Sequence, residues 1–330
     1  MNLHSIVQRN PKSTEDASED YPQAKVYRSV DDLLTDGLID ILVITSTPEN
    51  HFKFTKAALM SGVHVVVEKP FVSTSAQAKE LIGVSDKTGK LICVYQNRRW
   101  DADFLTVRQL IQDKTLGRIV EFETHMDDYR PVRPSTWRGS LTMDEGVGVV
   151  YDVGTHLFDQ IYVLFGMPQS VTAILSNQRN DGNAVPDSMT VLLHYGKEGP
   201  LVTVKAGVMS VETKQLRFWI RGSKGSFRKC HLDVQEDQLK AGLKPGDEGF
   251  GVEYEEASGT LTVLDHGKPV SYKHSNVEPQ KYASLYDGFI KAIESGDGEI
   301  VPVKPSEARD VLRIIEAARE SARIGQVITL

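Results

Sequence analysis

The 330-residue sequence predicts an α/β fold in two parts, with residues 1–119 as a doubly wound parallel sheet and residues 120–330 as an α+β unit on a mainly antiparallel sheet. Three observations predict it. The length exceeds what a single core usually serves. Up to about residue 119, short apolar runs alternate with helix-length amphipathic segments, the pattern of parallel strands joined by right-handed crossovers. After residue 120, strands follow one another with little more than turns between them, which makes neighbours antiparallel.

In chain order, strands are expected at 3–7, 25–27, 40–45, 64–67 and 91–95, with a new series opening at 120–125. Ser29 followed by Asp31 and Asp32 is an N-cap with acids in the first turn, so a helix follows it, burying Leu33 and Leu34. Residues 48–61 carry an apolar face and stop at Gly62; residues 74–88 repeat the arrangement and stop at Gly89. A strongly apolar helix spans 155–165. It leads into strands at 171–175, 189–195, 201–207, 215–221 and 225–229, and a last helix at 306–325 is expected to pack back on the first part.

Composition removes several function classes. Hydrophobic residues at 40% and charged residues at 25% describe a globular chain. A formal charge of −7 works against a phosphate-backbone binder, so nucleic acid is not an expected partner. Cys93 and Cys230 form neither a disulfide scaffold nor a thiolate metal motif. The apolar runs at 39–44 and 63–67 are far below the ~20 residues of a spanning helix, and residues 1–9 do not read as a secretory signal. The expectation is a cytoplasmic protein acting on a small molecule.

Chemistry gathers where strands end. Open parallel sheets bind ligands beyond the carboxyl ends of their strands, and Glu68-Lys69-Pro70 closes the strand 64–67. The proline disfavours a helical conformation at Lys69 and holds it extended. An ammonium presented there can donate to a carbonyl oxygen and stabilise the alkoxide that forms as hydride arrives. A surface pairing of Glu68 with Lys69 would read the same.

Asp152 and His156 lie four apart among Gly146, Gly148 and Gly154, a spacing that puts both on one face of a helix. A carboxylate one turn behind an imidazole can fix its tautomer for proton transfer with a substrate hydroxyl. A capping aspartate and a core histidine show the same spacing, and no third residue completes a metal motif. Asn97-Arg98-Arg99-Trp100 follows the strand 91–95 at the same edge, where Arg98, Arg99 and Trp100, with Tyr129, Arg130 and Trp137 from further on, could line a substrate pocket. Thr45-Ser46-Thr47-Pro48 places hydroxyls and helix-terminal N–H groups where a ribose or pyrophosphate would lie. Arg9, after the first strand, suits a ribose 2′-phosphate and tips the cofactor expectation toward NADP over NAD.

Together, Thr47-Pro48-Glu49-Asn50-His51, Glu68-Lys69-Pro70, Asn97-Arg98-Arg99-Trp100 and the segment from Asp152 to His156 resemble the glucose-fructose oxidoreductase and inositol dehydrogenase family, Gfo/Idh/MocA. The resemblance covers almost the whole chain. It implies a Rossmann domain followed by an open-faced sheet domain, hydride transfer with NADP or NAD, and homo-oligomerisation through the sheet face. Carried over by position, it makes Lys69 the catalytic lysine, with Asp152 and His156 as the orienting and proton-transferring pair. It puts Arg9, Thr45, Ser46, Thr47, Pro48, His51, Glu68 and Asn97 along the cofactor. The family opens with a strand and a GxGxxG turn, neither of which precedes Leu3, so the expected Rossmann unit is incomplete at its amino end and lacks its main phosphate-binding element. Two alternatives stay open: a non-catalytic sensor on the same fold, and a reductase of a dihydrodiol, imine or other non-sugar carbonyl.

Overall fold

The computed structural model describes residues 1–11, 16–278 and 281–330, the side chain of Arg138 excepted. The chain begins with β1 (Ser5–Val7), a single turn α1 (Ala17–Asp20), β2 (Lys25–Tyr27) and α2 (Val30–Asp36), the last capped by the Ser29 hydroxyl on the Asp32 N–H and ended by Gly37. β3 (Ile41–Ile44), α3 (His51–Met60), β4 (His64–Val67), α4 (Ser75–Thr88) and β5 (Ile92–Val94) follow. β4 is buried on both faces through Val65, Val66 and Val67, as a central parallel strand must be. The expected incomplete, Rossmann-like parallel half is seen, with its strands divided between two sheets. β1 and β2 form a two-stranded parallel sheet, while β3, β4 and β5 form a separate three-stranded one.

α5 (Ala102–Gln112) leads to β6 (Ile119–His125). Short turns α6 (Trp137–Ser140) and α7 (Val149–Asp152) precede the long α8 (Gly154–Phe165). Then come β7 (Ser170–Ser176), β8 (Ser188–His194), β9 (Leu201–Ala206), β10 (Leu216–Gly222), β11 (Gly225–Cys230), α9 (Gln235–Lys240), β12 (Gly259–Asp265) and β13 (Lys268–His274). α10 (Ala283–Ser295), α11 (Pro305–Ile324) and the short β14 (Ile328–Thr329) end the chain. The third sheet has nine strands in the order β13-β12-β11-β10-β6-β9-β8-β7-β14. Every pairing in it is antiparallel except β6 with β9, so the sheet is mixed rather than purely antiparallel.

One face of this sheet is covered by α8 and α11, whose buried Leu157, Phe158, Ile161, Ile314 and Ile315 share a continuous core with Val171, Val191 and Val204. The opposite face leaves Ile174, Leu192, Leu201 and Trp219 exposed. The last helix also reaches the first half. Glu316 accepts from the Ser75 backbone N–H at 2.7 Å and its hydroxyl at 2.6 Å, at the start of α4.

Candidate active site

Lys69 follows the buried strand β4 directly. The Glu68 N–H extends the ladder by donating to the Ile44 carbonyl at 3.0 Å, and the Lys69-Pro70 peptide is cis. From there the Lys69 ammonium donates to the Asp152 carbonyl at 2.6 Å and to its carboxylate Oδ1 at 3.1 Å. Residues 83 positions apart thus fix one charged nitrogen from two directions. Asp152 is delivered by α7, which starts at Gly148 with φ +95°. A Cβ on Gly148 would sit 2.8 Å from Cγ1 of Val185, so both the conformation and the space require glycine.

Lys69 and Asp152 open onto a cavity of about 310 Å³, also lined by Thr45, Ser46, Pro48, Glu68 and Trp137. Burial pushes the Glu68 carboxyl above the ordinary range, with Lys69 opposing the shift. Behind the cavity, Tyr151 is fully buried. Its hydroxyl donates to the Ser73 carbonyl at 2.9 Å and accepts from Nη1 of Arg319 on α11, also at 2.9 Å.

His156 does not occupy the expected place. The helix is interrupted at Val153, where the His156 N–H turns back to the Val153 carbonyl at 3.1 Å, so Asp152 ends one helix and His156 belongs to the next. His156 is not among the residues that line the cavity. Its ring is 7% exposed, and Nδ1 has no hydrogen-bond partner among the described residues. Burial first, then the positive charges of Lys69, Arg98 and Arg217, hold the imidazole well below its usual pKa and therefore neutral.

Several other expected site residues have structural duties instead. His51 is buried, with Nδ1 2.8 Å from the Pro70 carbonyl and Nε2 3.0 Å from the Ser46 carbonyl, linking the ends of β3 and β4 from behind. Arg98 pairs with Asp101 at 3.2 Å and with Glu236 of α9. Arg99 makes a two-pronged contact with Asp159, Nε and Nη2 each at 2.7 Å, and reaches Glu307 at 2.8 Å. Trp100 packs against the core and Asn97 does not line the cavity. Thr47 bonds locally to Glu49 and Asn50, Tyr129 is half exposed outside the cavity, and Arg9 is exposed after β1. At Arg98 and Arg99 a charged residue beyond a strand's carboxyl edge serves the fold because a buried aspartate waits there.

Reading the sequence missed Arg133 and Arg179, which line the cavity, and Arg319, which braces Tyr151. The repeated Arg-Pro of residues 130–134 was the available signal for the first. The other two have no local signature. The Thr45 and Ser46 hydroxyls with Glu68, at the carboxyl ends of parallel strands beside the fixed ammonium, suit the nicotinamide end of a dinucleotide.

The site and fold are those of an oxidoreductase that pairs a parallel α/β half with a sheet-bearing half. Residues 1–96 match the NAD-binding Rossmann fold of the GFO_IDH_MocA oxidoreductase family and residues 108–330 match its C-terminal alpha/beta domain, so the chain belongs to that family. It is 37% identical over 343 residues to the oxidoreductase C115.03 of Schizosaccharomyces pombe, covering 99% of this chain and 92% of that protein. It is 36% identical over 321 residues to scyllo-inositol 2-dehydrogenase (NADP(+)) IolW of Bacillus subtilis, covering 96% of this chain and 86% of IolW. The solved structure of YvaA from Bacillus subtilis superposes with a TM-score of 0.91 at 33% identity, covering all of this chain (100%) and 90% of YvaA.

Proposed function

We propose that the protein transfers hydride between a nicotinamide dinucleotide and a hydroxyl-bearing carbon of a sugar or polyol, or the matching carbonyl. The observation that carries this reading is the Lys69 ammonium fixed by two oxygens of Asp152 at the carboxyl end of β4, inside a cavity with hydroxyls beside it. The dehydrogenase name of IolW supports the substrate class. The NADP in that name, with Arg9 placed after β1, supports NADP over NAD.

When bound, the dinucleotide supplies or takes the hydride. The chain's own residues handle the oxygen. In the reducing direction, Lys69 donates its N–H to the substrate carbonyl oxygen and gives up a proton as that oxygen becomes a hydroxyl. Asp152 keeps the lysine aimed. Thr45, Ser46 and Glu68 would hold the ribose and ring beside it. The exposed Ile174, Leu192 and Trp219 support pairing of two copies through the open sheet face, which light scattering would test.

The deciding experiment titrates the purified chain with NADPH and NADH and then follows turnover with scyllo-inositol and simple sugars. Lys69→Ala should lower kcat by about 100-fold or more while leaving dinucleotide affinity unchanged. Absence of dinucleotide binding would overturn the reading, and unchanged turnover in Lys69→Ala would remove the lysine from it.

A further inference from the structure

Part of the cavity wall comes from side chains the hydride-transfer reading leaves unused. Arg130 and Arg133, each followed by a proline, and Arg179, beyond β7, all reach this wall. Two of them are aimed by one buried carboxylate. Oδ2 of Asp187 accepts from Arg179 Nη1 at 3.1 Å and lies 3.5 Å from Arg133 Nη2, while its Oδ1 is taken by the Gln178 N–H at 2.7 Å. Arg133 is also held by Asp181, with Nε at 2.7 Å, and Arg179 Nε donates to the Arg130 carbonyl at 2.7 Å. Arg130 Nε meets Asp128 at 2.8 Å.

These contacts occupy one edge of each guanidinium. Among the described residues, no protein acceptor takes either Nη of Arg130, Nη1 of Arg133 or Nη2 of Arg179. The chemistry of this part of the wall is therefore one-sided. It offers fixed N–H donors, and the carboxylates that hold them, Asp128, Asp181 and Asp187, are already engaged by those guanidinium groups. A neutral hydroxyl gives and receives, and would leave its proton without an acceptor here. A carboxylate or phosphate only receives, and it matches the planar fork of arginine.

We propose that the substrate carries an anionic group, a carboxylate or a phosphate, which Arg130, Arg133 and Arg179 bind while Lys69 meets the oxygen on the reacting carbon. The substrate class is then a polyhydroxy acid or sugar phosphate rather than a neutral polyol. This rests on the hydride-transfer reading for the site's purpose, but the anion contacts themselves are measurable without turnover.

The test is calorimetric titration of the full chain with D-gluconate, D-glucose 6-phosphate and myo-inositol as probes. At least one acid should bind about tenfold or more tighter than the inositol, and that preference should weaken as salt is raised. Gluconate ahead of the phosphate assigns a carboxylate ligand, and the reverse order assigns a phosphate. Arg130→Gln, at a largely exposed side chain, should erase the preference with the fold intact, and Arg133→Lys, which keeps the charge but loses the fork, should reduce it about tenfold. Equal binding of inositol and both acids, no binding by any of them, or an undiminished preference in Arg130→Gln overturns the proposal. Acid binding that persists in Lys69→Ala, with no hydride transfer to or from any probe in the parent chain, would keep the anion site and sink the hydride reading. Hydride transfer confined to a neutral polyol would do the opposite.

Discussion

Replacing Arg99 by alanine tests whether this arginine is a structural clasp or a substrate ligand. In the fold its guanidinium joins Asp159 of α8, the Pro302 carbonyl at 3.3 Å and Glu307 of α11 to the segment that follows β5. Asp159 is 1% exposed, so the substitution would strand a buried carboxylate, which costs about 3–5 kcal/mol. At about 2 °C per kcal/mol for a chain of this size, Tm should fall by about 6–10 °C near pH 8. Burial already pushes the Asp159 carboxyl upward even against the lowering by Arg99. Without the guanidinium that opposition disappears, and the carboxyl takes a proton at a higher pH. The penalty should therefore shrink by half or more near pH 5, where a neutral acid replaces the stranded charge. Arg99→Ala/Asp159→Asn should recover most of the loss at pH 8 for the same reason. Differential scanning fluorimetry at both pH values, with KM measured alongside, reads the outcome. An equal Tm loss at both pH values with no rescue by Asp159→Asn would refute the clasp. An unchanged Tm with KM raised about tenfold would restore Arg99 as a substrate ligand.

Other predictions follow from the same structure. Gly148→Ala forces a side chain onto a φ of +95° and against Val185, so it should cost about 1–3 kcal/mol and lower kcat through a displaced Asp152; a variant with parental stability and kcat would contradict that placement. Burial lowers the pKa of both His156 and His51, so the native state keeps them neutral while the unfolded chain protonates them below about pH 6.5. Their contribution is complete above that pH and is lost as pH falls, at up to about 1.4 kcal/mol per pH unit for each ring. The raised carboxyls Asp101, Asp159 and Asp233 run the other way, losing stability as pH rises through their folded values, so the comparison must be with a variant. Urea midpoints of His156→Gln should depend less steeply on pH between about 6.5 and 5 than those of the parent, and parallel slopes would show that His156 is not buried neutral.

The residues that could be read in advance were those whose signal is local. β4 appears at residues 64–67 as expected because an apolar run buried on both faces lies between Gly62 and Pro70, and α11 was bounded by Pro305 at its first turn and Gly325 at its cap. β12 and β13 escaped notice because most of their residues are partly or fully exposed, leaving no clean alternation, and only their positive-φ turn at His266-Gly267 marks the hairpin. Lys69 and Asp152 were each found at the end of a punctuated element, but their union spans 83 positions and has no spacing rule. Arg99 was misplaced for the converse reason. Its partners lie 60 and 208 positions away, and an arginine at a strand edge looks the same whether a ligand or a buried aspartate receives it.

The distribution of those distant partners explains how one cavity can be built from both halves of the chain. The strand-end residues Thr45, Ser46, Glu68 and Lys69 are held by the parallel sheet itself. The opposite contribution comes from loops, and α11 supplies much of the support beside Asp152. It binds α4 through Glu316, braces Tyr151 and Asp144 through Arg319, accepts the Tyr162 hydroxyl on Asp310 at 3.0 Å, and meets the Ala173 N–H through Ser321 at 2.9 Å. A helix tied at once to the first half, to α8 and to the sheet fixes the distance between Lys69 and the residues beside Asp152. The segment at 130–134 is held by the Arg130 N–H on the Val208 carbonyl at 2.8 Å and by the Asp128, Asp181 and Asp187 pairs. On the proposed function, reaction geometry falls to the strand-end part of the site and choice of substrate to the arginine-bearing segment. Substitutions at Arg130 should therefore change which substrate is accepted before they change how fast hydride moves.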